Sequence, residues 1–170
     1  MLYLIDSNVL ITAHSTYYPI DRVPEFWEWL HHVAEKGLVK MPLEQYEEIE
    51  DGSDDEEKDL LYAWVQAKGR KEILVLDEVA SVDVVQLVTI TGYAANLTDD
   101  EVEQLGKDPF LIAYGLVAPA DRCIVTNEVS KPKRTRQNRH IPDVCKTLNV
   151  NCCDAFHLIK KLGFSTSWKS

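Results

Sequence analysis

Short apolar runs alternate with stretches of helical spacing along nearly the whole chain, and several of the runs end against a carboxylate. Tyr3-Leu4-Ile5, Leu38-Val39-Lys40-Met41, Cys123-Ile124-Val125-Thr126 and Val150 to Cys153 read as strands. Ile73-Leu74-Val75-Leu76 reads as a further strand or as an extended connector. Between them, Val23, Phe26, Trp27, Leu30, Val33 and Ala34 recur at helical spacing. Gly37 reads as the stop of that helix. Pro42 falls at a first helical position, with the helix running from Leu43 to Glu50. Ser53-x-x-Glu56 and Thr98-x-x-Glu101 are capping-box patterns, the former ahead of Leu60, Leu61, Trp64 and Val65. Further helices are predicted from Val79 to Tyr93, from Asp108-Pro109 onward, from Ile141 to Leu148, and from Asp154 to Leu162 with Gly163 as its stop. Strand and helix in alternation mean an α/β protein whose mostly parallel sheet carries helices on both faces.

The chain has 170 residues and 45% apolar content, which suits one domain, residues 1–170, with a proper core. No repeat and no dividing linker is visible. No apolar run approaches the roughly 20 residues of a membrane helix. The opening Met1-Leu2-Tyr3-Leu4-Ile5-Asp6 has no basic region and no cleavage site of a signal peptide, so a cytoplasmic protein is expected. The four cysteines, Cys123, Cys145, Cys152 and Cys153, form no C-x-x-C pair. Cys152 and Cys153, adjacent on a strand, point to opposite faces, and buried reduced thiols are expected. Trp27 and Trp64 fall in apolar stripes and read as core. His14, His31, His32, His140 and His157 show no zinc spacing and receive no catalytic role.

Net charge is −10, against simple neutralisation of a nucleic-acid backbone. The distribution is uneven: residues 121–170 carry ten Lys/Arg and four Asp/Glu, whereas residues 1–120 carry eight and 24. Such a chain suits an acidic pocket beside a basic docking surface, although acidic helices are often simply solvated.

Ligands of open parallel sheets bind beyond the carboxyl ends of the strands. Asp6 ends the first strand, and Glu128 follows the strand Cys123–Thr126. Glu48 lies beside the buried face marked by Tyr46 and Ile49, and Asp108 begins a helix that leans toward the same edge. Carboxylates gathered in one pocket repel unless a cation joins them. A hard divalent ion with oxygen ligands, Mg²⁺ or Mn²⁺, answers that need, and its bound water is acidic enough to attack phosphorus.

These residues resemble the motifs of the PIN-domain nucleases. Leu4-Ile5-Asp6-Ser7-Asn8-Val9-Leu10 looks like the opening motif, and Glu48-Ile49 with nearby Gly52 like the second. Asp108 with Leu111-Ile112-Ala113 looks like the third. Ile124-Val125-Thr126-Asn127-Glu128 looks like the fourth, with Glu where the family carries Asp. The resemblance implies a Rossmann-like three-layer α/β/α sandwich and Mg²⁺- or Mn²⁺-dependent cleavage of RNA. It further implies a toxin held by a protein antitoxin, possible partners being a helix-turn-helix protein and a second copy of the chain in a homodimer. This chain departs from the compact toxin type in the longer segment from Ser53 to Asn96 and in the basic stretch after Glu128.

The expected site is Asp6, Glu48, Asp108 and Glu128, with Asp143 as the alternative fourth ligand. Ser7, Asn8 and Thr126 are expected to orient these acids. Lys133, Arg134, Arg136 and Arg139, within a stretch of five Lys/Arg in nine residues, are expected to hold the RNA backbone. Simpler readings stand beside each: a local turn for Asp6, a solvated helix acid for Glu48, a helix cap for Asp108, a helix first turn for Asp143 and a solvated loop for the basic stretch. A dehalogenase-type phosphatase would need Asp where Asn8 stands. No phosphate-cradling G-x-x-x-x-G-K-[ST] or G-x-G-x-x-G is present. Two alternatives remain: a non-catalytic PIN-like module that binds RNA or protein, and a nuclease directed at DNA.

Overall fold

The computed structural model describes residues 1–52 and 59–169. Strands β1 (Leu2–Ile5), β2 (Val39–Lys40), β3 (Arg122–Val125) and β4 (Asn151–Cys153) form one parallel sheet in the order β2-β1-β3-β4. Register aligns the strand ends: Ile5 pairs with Val125, and Val125 with Cys153. Asp6 and Thr126 therefore emerge side by side at the carboxyl edge. The Asp6 N–H bonds to the Val125 carbonyl at 2.9 Å and the Thr126 N–H to that of Cys153 at 3.1 Å.

Period-two alternation splits the strand side chains between two cores. Tyr3, Ile5, Cys123 and Val125 face one, packed by α2 (Pro24–Glu35), α3 (Leu43–Asp51), α4 (Leu60–Gln66) and α10 (Ala155–Lys161). Leu4 and Ile124 face the other, packed by α8 (Asp108–Leu116) and α9 (Ile141–Leu148). Both faces are covered, as a parallel sheet requires. The cysteines follow the same rule. Cys153 joins Cys123 in the first core, with sulfurs 3.6 Å apart, and Cys152 joins Cys145 in the second. All four are free thiols, Cys123 and Cys145 buried and the other two half-buried.

The remaining elements are α1 (Ser7–Thr12), α5 (Arg70–Leu74), α6 (Val82–Leu87) and α7 (Asp99–Gln104). Helix α1 starts directly after Asp6, with no intervening turn, and runs into a π-helical turn at Ala13–Tyr17. Helix α6 likewise runs into a π-helical segment, Val88–Tyr93. The segment Ile73–Leu76 divides: Ile73 and Leu74 finish α5, and Val75 makes a single parallel bridge with Met41 at the sheet edge. Gly37, at φ +68°, ends the turn after α2. The Thr98–Glu101 capping box is present at α7. The pattern Ser53-x-x-Glu56 lies outside the described residues; α4 is capped by Asp59, whose carboxylate accepts from the N–H groups of Leu61 and Tyr62. Trp27 and Trp29 are core residues, and Trp64 is half-buried under the Arg70 guanidinium at 4.0 Å. No described helix is long and apolar enough to cross a membrane.

Candidate metal centre

Four segments bring carboxylates to the carboxyl edge of the sheet: the end of β1, helix α3, the first turn of α8 and the turn after β3. Asp6 is 4% exposed. The Thr126 hydroxyl donates to its Oδ2 at 2.8 Å and the Asn8 amide to the same oxygen at 2.5 Å. The Ser7 hydroxyl donates to Glu48 Oε2 at 2.6 Å and thereby ties β1 to α3. Thr126 Oγ1 also accepts the Glu128 N–H at 3.2 Å, and Asn8 Oδ1 accepts the Asn127 N–H at 3.2 Å. Ser7, Asn8 and Thr126 thus form one polar lattice holding Asp6 and Glu48, as β-strand register and the immediate start of α1 dictate.

Asp108 lies one residue inside its helix, whose cap position is Lys107. Its carboxylate therefore does not serve as the cap. Buried Gln45 on α3 donates to the Lys107 carbonyl at 3.1 Å and fixes the two helices that carry Glu48 and Asp108. The sequence reading missed Gln45. A lone Gln in an acidic helix gives no signal until its burial is known.

The electrostatics of these acids are unsatisfied. Burial pushes the Asp6 carboxyl up to about 6; hydrogen bonds from Thr126 and Asn8 oppose this, and the charges of Glu48 and Glu128 add to it. Burial pushes Asp108 further, to about 8, with Asp6, Glu128 and Glu48 all raising it. Asp6 and Asp108 therefore both feel the charges of Glu48 and Glu128, and no Lys or Arg among the described residues offsets either. Among the described residues, no three His, Cys, Asp or Glu side chains are drawn tightly enough together to cage an ion as they stand. Glu128 is partly engaged, since its Oε2 accepts the Ile141 N–H at 2.7 Å. The donor set nonetheless fits a hard divalent ion: it is all oxygen, it carries excess negative charge, and Mg²⁺ binds through one or two carboxylates while keeping several waters.

The other expected residues are placed differently. Asp143, 8% exposed, uses both oxygens locally, accepting the Ser130 hydroxyl at 2.5 Å and the Lys131 N–H at 2.7 Å. Burial raises its pKa, but these bonds with the charges of Arg139 and His140 outweigh that and leave it below the ordinary value. The basic stretch also divides. Lys133 and Arg134 are exposed. Arg136 makes a two-pronged pair with Glu101, at 2.6 and 2.8 Å, and also holds Asn96. Arg139 binds the Gly92 carbonyl, the Asp143 carbonyl at 3.0 Å and the Thr147 hydroxyl at 2.7 Å. Two of the four expected RNA contacts are thus internal braces.

Two open hollows lie on other faces, one walled by Trp27, His31, Trp64 and Arg70 and one by Leu43, Val75 and Val79; neither contains any of the four acids. Neither a curated protein nor a solved structure matches this sequence. A family model does match it, over residues 3–166, so the chain belongs to the family described as a domain of unknown function, DUF4411.

Proposed function

We propose that this chain is a PIN-like ribonuclease dependent on Mg²⁺ or Mn²⁺, serving as the toxin of a toxin–antitoxin pair. One observation carries the nuclease reading: acids from four separate segments share the sheet's carboxyl edge, where Asp6 and Asp108 are pushed to about 6 and about 8 with no Lys or Arg among the described residues offsetting them. Buried uncompensated charge is costly, and a fold that keeps it has a use for it. The toxin role rests on the motif resemblance alone.

Asp6, Glu48 and Asp108 would hold the ion, directly or through water, with Glu128 completing the set. A bound ion supplies an acidic water and offsets charge on the phosphate. Thr126 and Asn8 fix the Asp6 carboxylate through Oδ2, and Ser7 fixes Glu48, so both acids meet a ligand preorganised. Lys133 and Arg134, exposed on the basic loop, steer the RNA backbone toward the edge.

A non-catalytic RNA- or protein-binding module is the second reading. The engagement of Glu128 by the Ile141 N–H favours it, because that bond withdraws one oxygen from the site. Labelled RNAs and single-stranded DNAs offered to wild type and Asp6→Asn, with Mn²⁺, Mg²⁺ or EDTA, separate the readings. The expected result is RNA cleavage by wild type in either metal, background cleavage in EDTA, and loss of cleavage in Asp6→Asn with its circular dichroism unchanged. Full activity in Asp6→Asn removes Asp6 from the site. Metal-dependent RNA binding without cleavage supports the module, and cleavage of DNA alone redirects the substrate.

A further inference from the structure

Two exposed aromatic rings meet at the carboxyl edge of the sheet and belong to neither core. Tyr17 and Phe156 are each 50% exposed, with ring centroids 5.0 Å apart and planes at 77°. They come from separate elements, the π-helical turn Ala13–Tyr17 after α1 and the first turn of α10. Exposed apolar side chains scattered singly are ordinary, whereas two rings brought together at one edge call for a reason.

Packing engages their neighbours and leaves these two outward. The next residue, Tyr18, turns inward and stacks on Phe26 at 4.4 Å and 12°. On α10, buried Leu158 marks the inner side, and Asp154 caps the helix by accepting the His157 N–H at 2.7 Å. The crevice beneath the rings holds only about 10 Å³, too little for more than a water. Anything planar must therefore lie on the outer faces of the rings. Bonded neighbours link this place to the acids. Asn127 lines the same crevice as Tyr17 and Phe156. Its N–H donates to Asn8 Oδ1 at 3.2 Å, and the Asn8 amide donates to Asp6 Oδ2 at 2.5 Å. Phe156 follows the end of β4 by three residues. The Cys153 carbonyl at that strand end accepts the N–H of Thr126, whose hydroxyl holds the same Asp6 oxygen.

We propose that Tyr17 and Phe156 form a stacking platform for one unpaired nucleobase of the RNA, beside the phosphate held at the acidic edge. This rests on the nuclease reading above for the phosphate, while the platform itself is read by binding. Unpaired bases stack on aromatic side chains whatever their identity, because every base has a π face. The near-perpendicular rings make a corner in which a base lies flat on one ring and meets the other at its edge, both favoured aromatic arrangements. A base inside a duplex is already stacked on its neighbours, so the corner selects unpaired RNA.

The test measures the affinity of wild type, Tyr17→Leu and Phe156→Leu for a labelled unpaired RNA and for a fully paired one in EDTA, with both RNAs checked intact. It adds kcat/KM for the unpaired RNA in Mn²⁺. Leu keeps apolar cover over the crevice and removes the π face. Each Leu variant is expected to bind unpaired RNA roughly 5- to 100-fold more weakly, as when one base loses its stacking partner. Its affinity for paired RNA is expected to stay within about twofold. Its kcat/KM for unpaired RNA is expected to fall in parallel. Tyr17→Phe and Phe156→Tyr, which keep the ring, are expected to bind as wild type does. A Leu variant that binds unpaired RNA as wild type does overturns the proposal and leaves the nuclease reading standing. Equal losses for unpaired and paired RNA also overturn it, as does a loss that the ring-keeping variants share, since folding or phosphate contacts would then be the cause. A wild-type dimer that the Leu variants dissociate assigns the rings to a second copy of the chain and overturns it. Ring-dependent binding of unpaired RNA without cleavage in Mn²⁺ removes the nuclease reading and keeps the platform. A wild type that neither binds nor cleaves RNA removes both.

Discussion

Two aspartates, half-buried Asp108 and buried Asp143, lie on neighbouring helices and have opposite fates. Asp143 accepts a hydroxyl and a backbone N–H and lies near Arg139 and His140, so its carboxyl stays below the ordinary range. Asp108 is pushed to about 8 by burial and by three other acids. Both are acidic residues in the first turn of a helix that has Pro in its first turns. Position at a helix start alone therefore does not separate a structural acid from a candidate ligand. What separates them is whether the protein supplies the compensation itself. At Asp143 it does, and the acid ties down the loop after β3. At Asp108 it does not, and the deficit is shared with Asp6.

This contrast can be broken most strongly by pH. Without metal, Asp108 titrates near 8 and Asp6 near 6 in the folded chain. In the unfolded chain both titrate near about 3.9. Between these values the folded state binds more protons, so its stability falls as pH rises from about 4 through about 8. Between pH 5 and pH 8.5 the two displacements come to about four units, so the fall is expected to be on the order of 5 kcal/mol at about 1.4 kcal/mol per unit. Asp143 works in the opposite sense: its depressed carboxyl gives stability that is lost only as pH drops below the ordinary aspartate range. Urea unfolding at pH 5 and pH 8.5 in EDTA measures the difference. Mn²⁺ is expected to restore the stability lost at pH 8.5, because it binds the folded state alone. Equal stability at the two pH values would remove the uncompensated cluster.

Substitution sharpens the same contrast. Asp108→Asn is expected to raise metal-free stability at pH 8.5 and to flatten its pH dependence, since a neutral amide carries no charge to bury. Asp143→Ala is expected to lower stability by roughly 1–2 kcal/mol, the cost of stranding a hydroxyl and a backbone N–H. In a domain of this size that corresponds to a fall in Tm of about 2–8 °C. Thermal melts of both variants in EDTA at pH 8.5 check the opposite signs. Destabilisation by both would place Asp108 among the structural acids.

Much of this arrangement is legible in the amino-acid order, for a physical reason. A strand buried on both faces must be apolar, so the first polar residues after it, Asp6 and Thr126, mark the sheet's carboxyl edge without reference to anything distant. Glu48 could be placed beside the site because Tyr46 and Ile49 fix the buried face of α3. The rest depends on tertiary partners. Gln45 meets Lys107 and Arg136 meets Glu101 across long stretches of chain, and no spacing rule encodes such meetings. A run of cations reads as one surface, whereas the fold divides it residue by residue. The winding of Val88–Tyr93 was hidden differently: helical spacing predicts a helix over Val79–Tyr93, and apolar periodicity does not distinguish α from π winding. The segment Ile73–Leu76 shows the limit for short apolar runs, where helix end and edge bridge share four residues.

The smallest expected effect tests that division of the basic stretch. Lys133 and Arg134 are exposed, so Lys133→Ala and Arg134→Ala should leave the melting temperature unchanged. If they meet RNA phosphates, each should reduce the slope of log affinity against log salt by about 1. Arg136→Ala and Arg139→Ala should do the reverse. Their guanidinium groups already hold Glu101 and Asn96, or Gly92 and Thr147, so their loss should lower the melting temperature first. Salt titrations of RNA binding alongside melts of the four variants place each cation on one side or the other. A reduced salt slope with an unchanged melt for Arg136→Ala would mean that its pair with Glu101 opens to let RNA in. That outcome would turn the brace into a latch and join the two halves of the loop into one binding surface.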